Sequence, residues 1–324
     1  MVAHHPCYSW RGAWGDSQTL WVVAFLRLEC YAPVSKSQLG ITRQELASIL
    51  GFNEQDAIAM LYRCFIDDSA DEHKKIAVIA GALVGSHGAW GKLRPKWMQR
   101  LRRDGLQYFR SSEYSNLSGE FSCFRDPVKY PKPKGSDAAR QLRNDLEAIL
   151  KGQHIIGLAC VIPMEVYNEF RATVPGAASF FHADAFESAL QTTIMECGYT
   201  VRDKLVGTEN RIAFVCDDSP NAVRYSAVYV AFKEKNPVVG KMMGGLVHLD
   251  DKKTPQLQVA DMMANVTKEI AVKFIETHRA QLRNDPRTNY PGDVTLTRLE
   301  GSVYSVSIWN WHWMQEVWDH NKTA

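Results

Sequence analysis

Short apolar runs alternate with amphipathic segments along most of this chain. The runs Leu61–Ile66 and Ile76–Val84 are joined by a polar turn, which predicts a hairpin buried between other layers. Further strands are predicted at His154–Ile162, Arg211–Cys216, Leu246–Leu249 and Val303–Trp309. Because the first two strands adjoin through a turn while later ones alternate with helices, the pattern predicts a mixed sheet of about five strands.

Helical periodicity separates these strands. Leu93, Trp97 and Leu101 recur every four residues, and Pro95 and Gly105 suit the first turn and the end of that helix. Other helices are predicted over Ala138–Leu150, across Phe186–Ile194 to near Gly198, after Ser219-Pro220, and from Thr254-Pro255 to about Leu282. The expected fold class is therefore α/β, a mixed sheet with helices on both faces.

Two segments depart from this pattern. Phe109–Gly135 is aperiodic and ends among prolines, which predicts an irregular arm. Residues 1–60 show little periodicity, although Thr42–Leu50 carries a capping-box pattern that a helix-turn-helix module would also fit. We expect 1–60 to be a poorly packed extension, with Met60 as the true start, and 61–324 to form the domain.

Composition narrows the class of protein without naming a partner. The 324 residues are 45% hydrophobic and 23% charged, as in globular proteins, and the net charge is only +2. Any nucleic-acid site therefore has to come from local patches. The seven cysteines form no CxxC pair, which favours free thiols in a reducing cytoplasm over structural zinc. The early apolar stretch Leu20–Leu26 is too short to span a membrane.

Three aspartates stand where chemistry is expected. Asp67 and Asp217 each follow an apolar strand, although either alone is equally typical of a turn. Asp261 lies between Leu257 and Ala264 on the apolar side of the long helix. An ionised carboxylate there needs hydrogen-bond donors, a lysine or a metal ion as its partner.

A metal ion would explain several carboxylates in one place. Converging carboxylates raise one another's pKa, and a divalent cation removes that repulsion. Oxygen ligands without a histidine or cysteine cluster favour Mg²⁺ or Mn²⁺ over Zn²⁺. Such a site can activate water and stabilise charge that develops on a phosphate.

Three motifs of the chain stand out: Phe65-Ile-Asp-Asp-Ser69 at the first strand, Arg110-Ser-Ser-Glu113 after the first helix, and Asp251-Lys-Lys-Thr-Pro-Gln-Leu-Gln-Val-Ala-Asp261 at the long helix. Together they resemble a large, mostly bacterial family of uncharacterised proteins that are assigned a ribonuclease H-like fold. The first resembles the family's opening Asp-x-Ser strand, the second its Ser-Glu segment, and the third its closing signature, an acidic residue followed by Gln-x-Ala-Asp on a helix. The resemblance spans roughly Leu61–Ala280, and it departs from the family at Asp68, where Glu is common.

The resemblance implies a ribonuclease H-like fold, and with the residue pattern it gives one site prediction. The expected catalytic and metal-binding residues are Asp67, Glu113, Asp217 and Asp261, with Asp68 and Asp251 as auxiliary acids. The leading functional hypothesis is a Mg²⁺- or Mn²⁺-dependent nuclease. The alternative is a non-catalytic module of the same shape that binds nucleic acid or a protein partner.

Basic and aromatic side chains elsewhere in the sequence are candidates for contacts with nucleic acid. The basic candidates are Arg94, Lys96, Arg100, Arg102, Arg103, Lys129, Lys132 and Lys134. The aromatic candidates are Tyr108, Phe109, Tyr114 and Phe124. The basic residues fit a phosphate backbone and a solvated surface equally well, whereas such aromatic residues more often serve packing. His248 is interpreted as structural rather than as a proton carrier.

Overall fold

A single mixed sheet organises the protein. The computed structural model describes residues 62–131, 133–204, 212–279, 282, 293–295 and 304–322, so the expectation for residues 1–60 lies outside them. In this part of the chain the strands are β1 Tyr62–Ala70, β2 Ala77–Ser86, β3 Ile155–Pro163, β4 Ile212–Asp217, β5 Met243–Leu249, β6 Asp293–Thr295 and β7 Tyr304–Ile308. Their order across the sheet is β5-β4-β1-β2-β3-β7-β6, two strands more than the sequence pattern predicts.

Strand direction decides where a site can form. β2 runs antiparallel to both of its neighbours, β1 and β3, while β4 and β5 run parallel to β1. The carboxyl ends of β1, β4 and β5 therefore meet at one edge of the sheet. In open α/β sheets this edge is where ligands bind.

Helices cover both faces of the sheet. In the described residues they are α1 His87–Arg103, α2 Ser111–Asn116, α3 Lys134–Lys151, α4 Met164–Thr173, α5 Ala177–Phe180, α6 Ala185–Lys204, α7 Ala222–Lys235, α8 Pro237–Gly240, α9 Pro255–Thr277 and α10 Trp311–Lys322, with short 3₁₀ segments at Glu72–Lys74 and Gly119–Arg125. α9 packs on β1 and β2 from one face, beside α1, and α6 packs on β2 and β3 from the other, beside α7.

Successive residues of β1 face different helices, as the pleat of a strand requires. Phe65 packs edge-on against Trp90 of α1, with ring centroids 4.8 Å apart. Cys64 points the other way, and its Sγ lies 3.5 Å from Sγ of Cys197 in α6. By this alternation Asp67 faces the side of α1 and α9, together with Phe65.

Gly81 allows α9 to lie close to the sheet. It pairs with Asp67 in the register of β1 and β2. A Cβ at this position would lie 3.3 Å from Cβ of Ala264 in α9, closer than most real Cβ contacts. The missing side chain therefore lets the helix that carries Asp261 approach the strand that carries Asp67.

Two helix boundaries differ from the sequence prediction, the start of α1 and the end of α6. α1 begins at His87, because Ser86 Oγ accepts a hydrogen bond from Ala89 N (3.1 Å), and Pro95 lies within the helix. Gly198 does not end α6, and a Cβ there would lie 2.3 Å from Cγ1 of Val239, so this glycine permits close packing.

The segment expected to be an irregular arm, 109–135, is part of the packed structure. It contains α2 and the 3₁₀ segment Gly119–Arg125. Phe109, Phe121 and Phe124 are buried there, and the rings of Phe109 and Phe121 meet edge to face at 5.5 Å. Phe109 and Phe124 therefore serve core packing, which is the more common role of such aromatic residues, rather than stacking on bases.

Candidate functional site

Two predicted acids come from adjacent parallel strands. Ile66 of β1 lies opposite Cys216 of β4, so Asp67 and Asp217 occupy the next position on each strand. Asp217 ends β4, whereas β1 continues to Ala70, so Asp67 lies inside its strand rather than after it. Because equivalent positions on parallel strands face the same side, both side chains belong to the side covered by α9.

The third acid, Asp261, comes from α9. Its Oδ2 accepts a hydrogen bond from the backbone N of Ser111 at 2.6 Å, which fixes the carboxylate against the first residue of α2. The charge of Asp261 is one of the causes that raise the pKa of Asp67. The structure thus brings these two predicted acids together on one side of the sheet, although about 190 residues separate them in sequence.

Asp251, expected only as an auxiliary acid, belongs to the same cluster. Its backbone N donates to Oδ1 of Asp217 at 3.2 Å, and its own Oδ2 lies 3.4 Å from Nε of Arg110. The Asp251 side chain is only 13% exposed, while that of Arg110 is 41% exposed. We call Asp67, Asp217, Asp251 and Asp261 the acid cluster.

Burial and neighbouring charges disfavour ionisation of three members of the acid cluster, Asp67, Asp217 and Asp261. Burial, followed by the charge of Asp261, raises the pKa of Asp67 well above its ordinary value. Burial, followed by the charge of Asp251, raises the pKa of Asp217. Burial raises the pKa of Asp261 to about 6, against the lowering effect of hydrogen bonding from Ser111. These carboxylates hold their charge at a cost that a cation would relieve.

We expect the metal-free protein to lose stability as pH rises through this range. Because the pKa of Asp67, Asp217 and Asp261 is higher in the folded state, the folded chain binds more protons than the unfolded chain from about pH 4 to above pH 6. The free energy of unfolding should fall by about 1–2 kcal/mol across that window. Urea unfolding in EDTA at several pH values measures it. Equal pH slopes for the wild type and Asp67→Asn would contradict the interpretation.

Ser111 provides a test of whether this cluster fits a metal ion. Its hydroxyl is buried beside Asp261, and hydrogen bonding from both this hydroxyl and the backbone N of Ser111 lowers the pKa of the Asp261 carboxyl. A buried hydroxyl next to partly buried carboxylates adds an oxygen donor of the kind that a hydrated divalent cation binds. The donor set therefore fits Mg²⁺ or Mn²⁺ in its chemistry. In the described residues, no three or more His, Cys, Asp or Glu side chains are already arranged as a metal-holding group.

Glu113, the remaining predicted site residue, has other contacts. Tyr108 Oη donates to its two carboxylate oxygens at 3.0 and 3.1 Å, and the backbone N of Glu120 donates to Oε2 at 3.1 Å. Ser111 and Glu113 are two residues apart on α2, so they point to different sides of the helix. Ser111 meets Asp261 while Glu113 holds the turn into the next segment, and a ligand role for Glu113 stays a prediction.

Asp68, the other auxiliary acid, is directed away from Asp67 by the pleat. Loss of surrounding water raises its pKa, the charge of Lys74 lowers it, and the charges of Asp217 and Asp184 raise it. Asp184 precedes α6 and caps it by accepting from Phe186 N at 2.9 Å. Asp68 thus lies on the opposite side of the sheet from Asp67, although the charge of Asp217 still raises its pKa. Its auxiliary role stays a prediction.

Positive charge borders the acid cluster. Nζ of Lys252 lies 4.9 Å from the ring centroid of Tyr108, and Lys252 and Lys253 are exposed. Among the basic residues of α1, Arg100 is committed to Asp104 and Asp145, at 2.6 and 2.7 Å. The remaining α1 candidates Arg94, Lys96, Arg102 and Arg103 are exposed.

His248 is held by hydrogen bonds rather than placed at the carboxylates. Its Nε2 lies 3.1 Å from Oγ of Ser226, and its Nδ1 lies 3.2 Å from the backbone oxygen of Asp217. Both ring nitrogens therefore have partners between β4, β5 and α7. These contacts agree with the structural role expected for this histidine.

Comparisons with known proteins identify no family for this chain. No family model and no curated protein matches the chain. One similar solved structure is the PCNA:RNase HII complex from Archaeoglobus fulgidus, with 16% identity, 70% of this chain and 85% of that chain covered, and a TM-score of 0.34. Another is ribonuclease H2 from Pyrococcus horikoshii OT3, with 12% identity, 71% and 82% covered, and a TM-score of 0.33.

The fold is α/β, with one mixed sheet in the described residues. The mixed sheet, with its antiparallel β2 between β1 and β3 and with helices on both faces, confirms the fold class expected from the sequence. The similarity scores are too low to transfer an activity, so function has to be argued from the acid cluster. None of the helices in the described ranges has the length and apolar composition that crossing a bilayer requires.

Proposed function

We propose that this protein is a divalent-metal-dependent phosphodiesterase that cleaves nucleic acid. The observation that carries the proposal is the convergence of Asp67, Asp217, Asp251 and Asp261 beside the buried hydroxyl of Ser111. The pKa values of Asp67, Asp217 and Asp261 are raised, which makes these partly buried carboxylates candidates for a functional site.

The carboxylates of Asp67 and Asp261 would hold Mg²⁺ or Mn²⁺, with Asp217 and Asp251 next to them. When bound, the ion supplies an activated water and stabilises the charge that develops on the phosphate. The backbone N of Ser111 orients the Asp261 carboxylate. The backbone N of Asp251 does the same for Asp217.

Arg110 and its neighbours support a phosphate-containing substrate. The guanidinium of Arg110 contacts Asp251 yet remains 41% exposed, so it can also face a phosphate outside the cluster. Lys252 adds exposed positive charge on the adjoining loop. This local patch provides the attraction for a polyanion that the net charge of +2 does not.

A cleavage assay tests the proposal. The purified full-length protein is incubated with single-stranded, double-stranded and RNA–DNA hybrid substrates in Mg²⁺, Mn²⁺ or EDTA. We expect cleavage of at least one substrate class with either ion and none in EDTA. Asp250→Asn is the matched control, because Asp250 neighbours Asp251 but pairs with exposed Lys253 at 3.1 Å. This variant should cleave within about twofold of the wild type.

One result would favour the alternative function. If the protein binds nucleic acid equally well in either ion and in EDTA, and cleaves none of the substrates, the phosphodiesterase proposal fails. The ribonuclease H-like domain would then be interpreted as a binding module, with Arg110 and Lys252 as its contact residues.

A further inference from the structure

Gln258 is a buried amide close to the acid cluster. It lies near the N-terminal end of α9, one turn before Asp261, and its side chain is fully buried. A buried amide is stable only if its two N–H donors and its acceptor oxygen find partners. The identity of those partners shows what the residue holds in place.

Every hydrogen-bonding position of this amide is occupied. Its Oε1 accepts from Nε1 of Trp97 and from the backbone N of Phe109, each at 3.1 Å. Its Nε2 donates to the backbone oxygens of Asp251 at 3.0 Å and Lys252 at 3.3 Å. Trp97 and Phe109 offer only donors, and the backbone oxygens of Asp251 and Lys252 offer only acceptors. The amide therefore fits in one orientation, with Oε1 toward the donors and Nε2 toward the acceptors.

The amide joins two segments that carry acid-cluster contacts. Phe109 is followed by Arg110 and Ser111, and the backbone N of Ser111 donates to Asp261. The backbone oxygen of Asp251 accepts from Gln258, while its backbone N donates to Asp217. Both segments are thus fastened to the same helix, three residues before Asp261.

We infer that Gln258 is a positioning residue, which sets the places of Ser111 and Asp251 relative to Asp261. It touches none of the four carboxylates itself and acts through the two backbone segments. The inference rests on the proposed function only in treating the acid cluster as a metal site. The placement of the two segments can be measured without metal.

Two substitutions and one control test the inference. Gln258→Met keeps the side-chain volume but removes all four hydrogen bonds. Gln258→Glu keeps an acceptor for Trp97 and Phe109 but replaces the Nε2 donor to Asp251 and Lys252 by an oxygen, which cannot donate when the carboxylate is ionised. Trp97→Phe is the matched control, because it removes one hydrogen bond of the same amide and leaves both loop attachments in place.

The first measurement is hydrogen exchange of peptides covering residues 106–112 and 249–254, under conditions where each protein is fully folded by circular dichroism. In Gln258→Met these peptides should exchange at least about 10-fold faster, while β1 keeps its protection. The second is Mn²⁺ affinity by calorimetry. It should weaken by about 10–100-fold in Gln258→Met and by less than about twofold in Trp97→Phe.

The outcomes separate this inference from the proposed function. Wild-type protein that binds no Mn²⁺ overturns the proposed function, and exchange of the two segments still decides the role of Gln258. Unchanged exchange in the variants overturns the positioning role, as does equal acceleration in β1, which would indicate only a general loss of stability. If Gln258→Met does not fold, hydrogen exchange of Gln258→Glu tests the positioning role instead. We then expect faster exchange in residues 249–254 and a smaller change in residues 106–112.

Discussion

Asp67→Asn is expected to abolish Mn²⁺ binding and nucleic-acid cleavage while the protein stays folded. Burial and the charge of Asp261 raise the pKa of Asp67, so its carboxylate takes part in the repulsion that a cation would relieve. Losing one carboxylate should weaken Mn²⁺ binding and lower the cleavage rate by at least about 100-fold. Calorimetry and single-turnover cleavage measure the two effects.

The same substitution should stabilise the metal-free protein at neutral pH. Asparagine removes one charge from a group of repelling, partly buried carboxylates, and we expect the free energy of unfolding in urea at pH 7.5 with EDTA to rise by about 1 kcal/mol. The combination of lost binding and gained stability distinguishes a functional acid from a structural one. Mn²⁺ binding by Asp67→Asn at wild-type affinity would show that the acid cluster is not a metal site.

Gly81→Val is expected to cause the largest loss of stability and to disrupt the site without touching an acid. A Cβ at Gly81 would already lie 3.3 Å from Cβ and 3.4 Å from Cα of Ala264, and the two valine methyl groups extend further toward the helix. Overpacking against a helix backbone should cost about 3 kcal/mol and lower the thermal midpoint by about 6–12 °C. Displaced α9 should also weaken Mn²⁺ binding by more than about 10-fold.

Gly91→Ala is the control for Gly81→Val. Gly91 lies inside α1, is exposed, and would have no heavy atom within 4 Å of an added Cβ. Alanine should stabilise the helix by about 0.5–1 kcal/mol and leave Mn²⁺ affinity unchanged. A thermal midpoint of Gly81→Val equal to the wild type would mean that α9 does not depend on this glycine for its close approach.

The fold was accessible from the sequence because its signals are local. The apolar runs at β1, β2 and β3 and the helical spacing of Leu93, Trp97 and Leu101 survive in the structure. The position of Asp261 among apolar helix residues correctly indicated a side chain directed at other protein groups. The start of α1 was misplaced at Pro95, because the hydrogen bond from Ala89 N to Ser86 Oγ caps the helix at an earlier point.

Contacts between distant segments could not be predicted in this way. The backbone N of Asp251 donates to Asp217, and the backbone N of Ser111 donates to Asp261. Backbone donors of this kind do not depend on residue type, so the sequence pattern cannot predict them. Resemblance pointed to the segment Arg110–Glu113 but singled out Glu113, whereas Ser111 makes the contact with Asp261. Ser111 and Glu113 are two positions apart on α2 and therefore point to different sides of the helix. Only the orientation of α2 in the fold shows that Ser111 faces the acid cluster.

The acid cluster joins the beginning of the described chain to α9, and this has a consequence for synthesis. A ribosome that has just made Asp67 must add about 190 more residues before Asp261 and the helix that covers Gly81 exist. Nascent chains shorter than this carry a β1–β2 hairpin with one bare apolar face, which favours binding by chaperones. The complete set of carboxylates, and any activity that depends on it, therefore arises only late in translation.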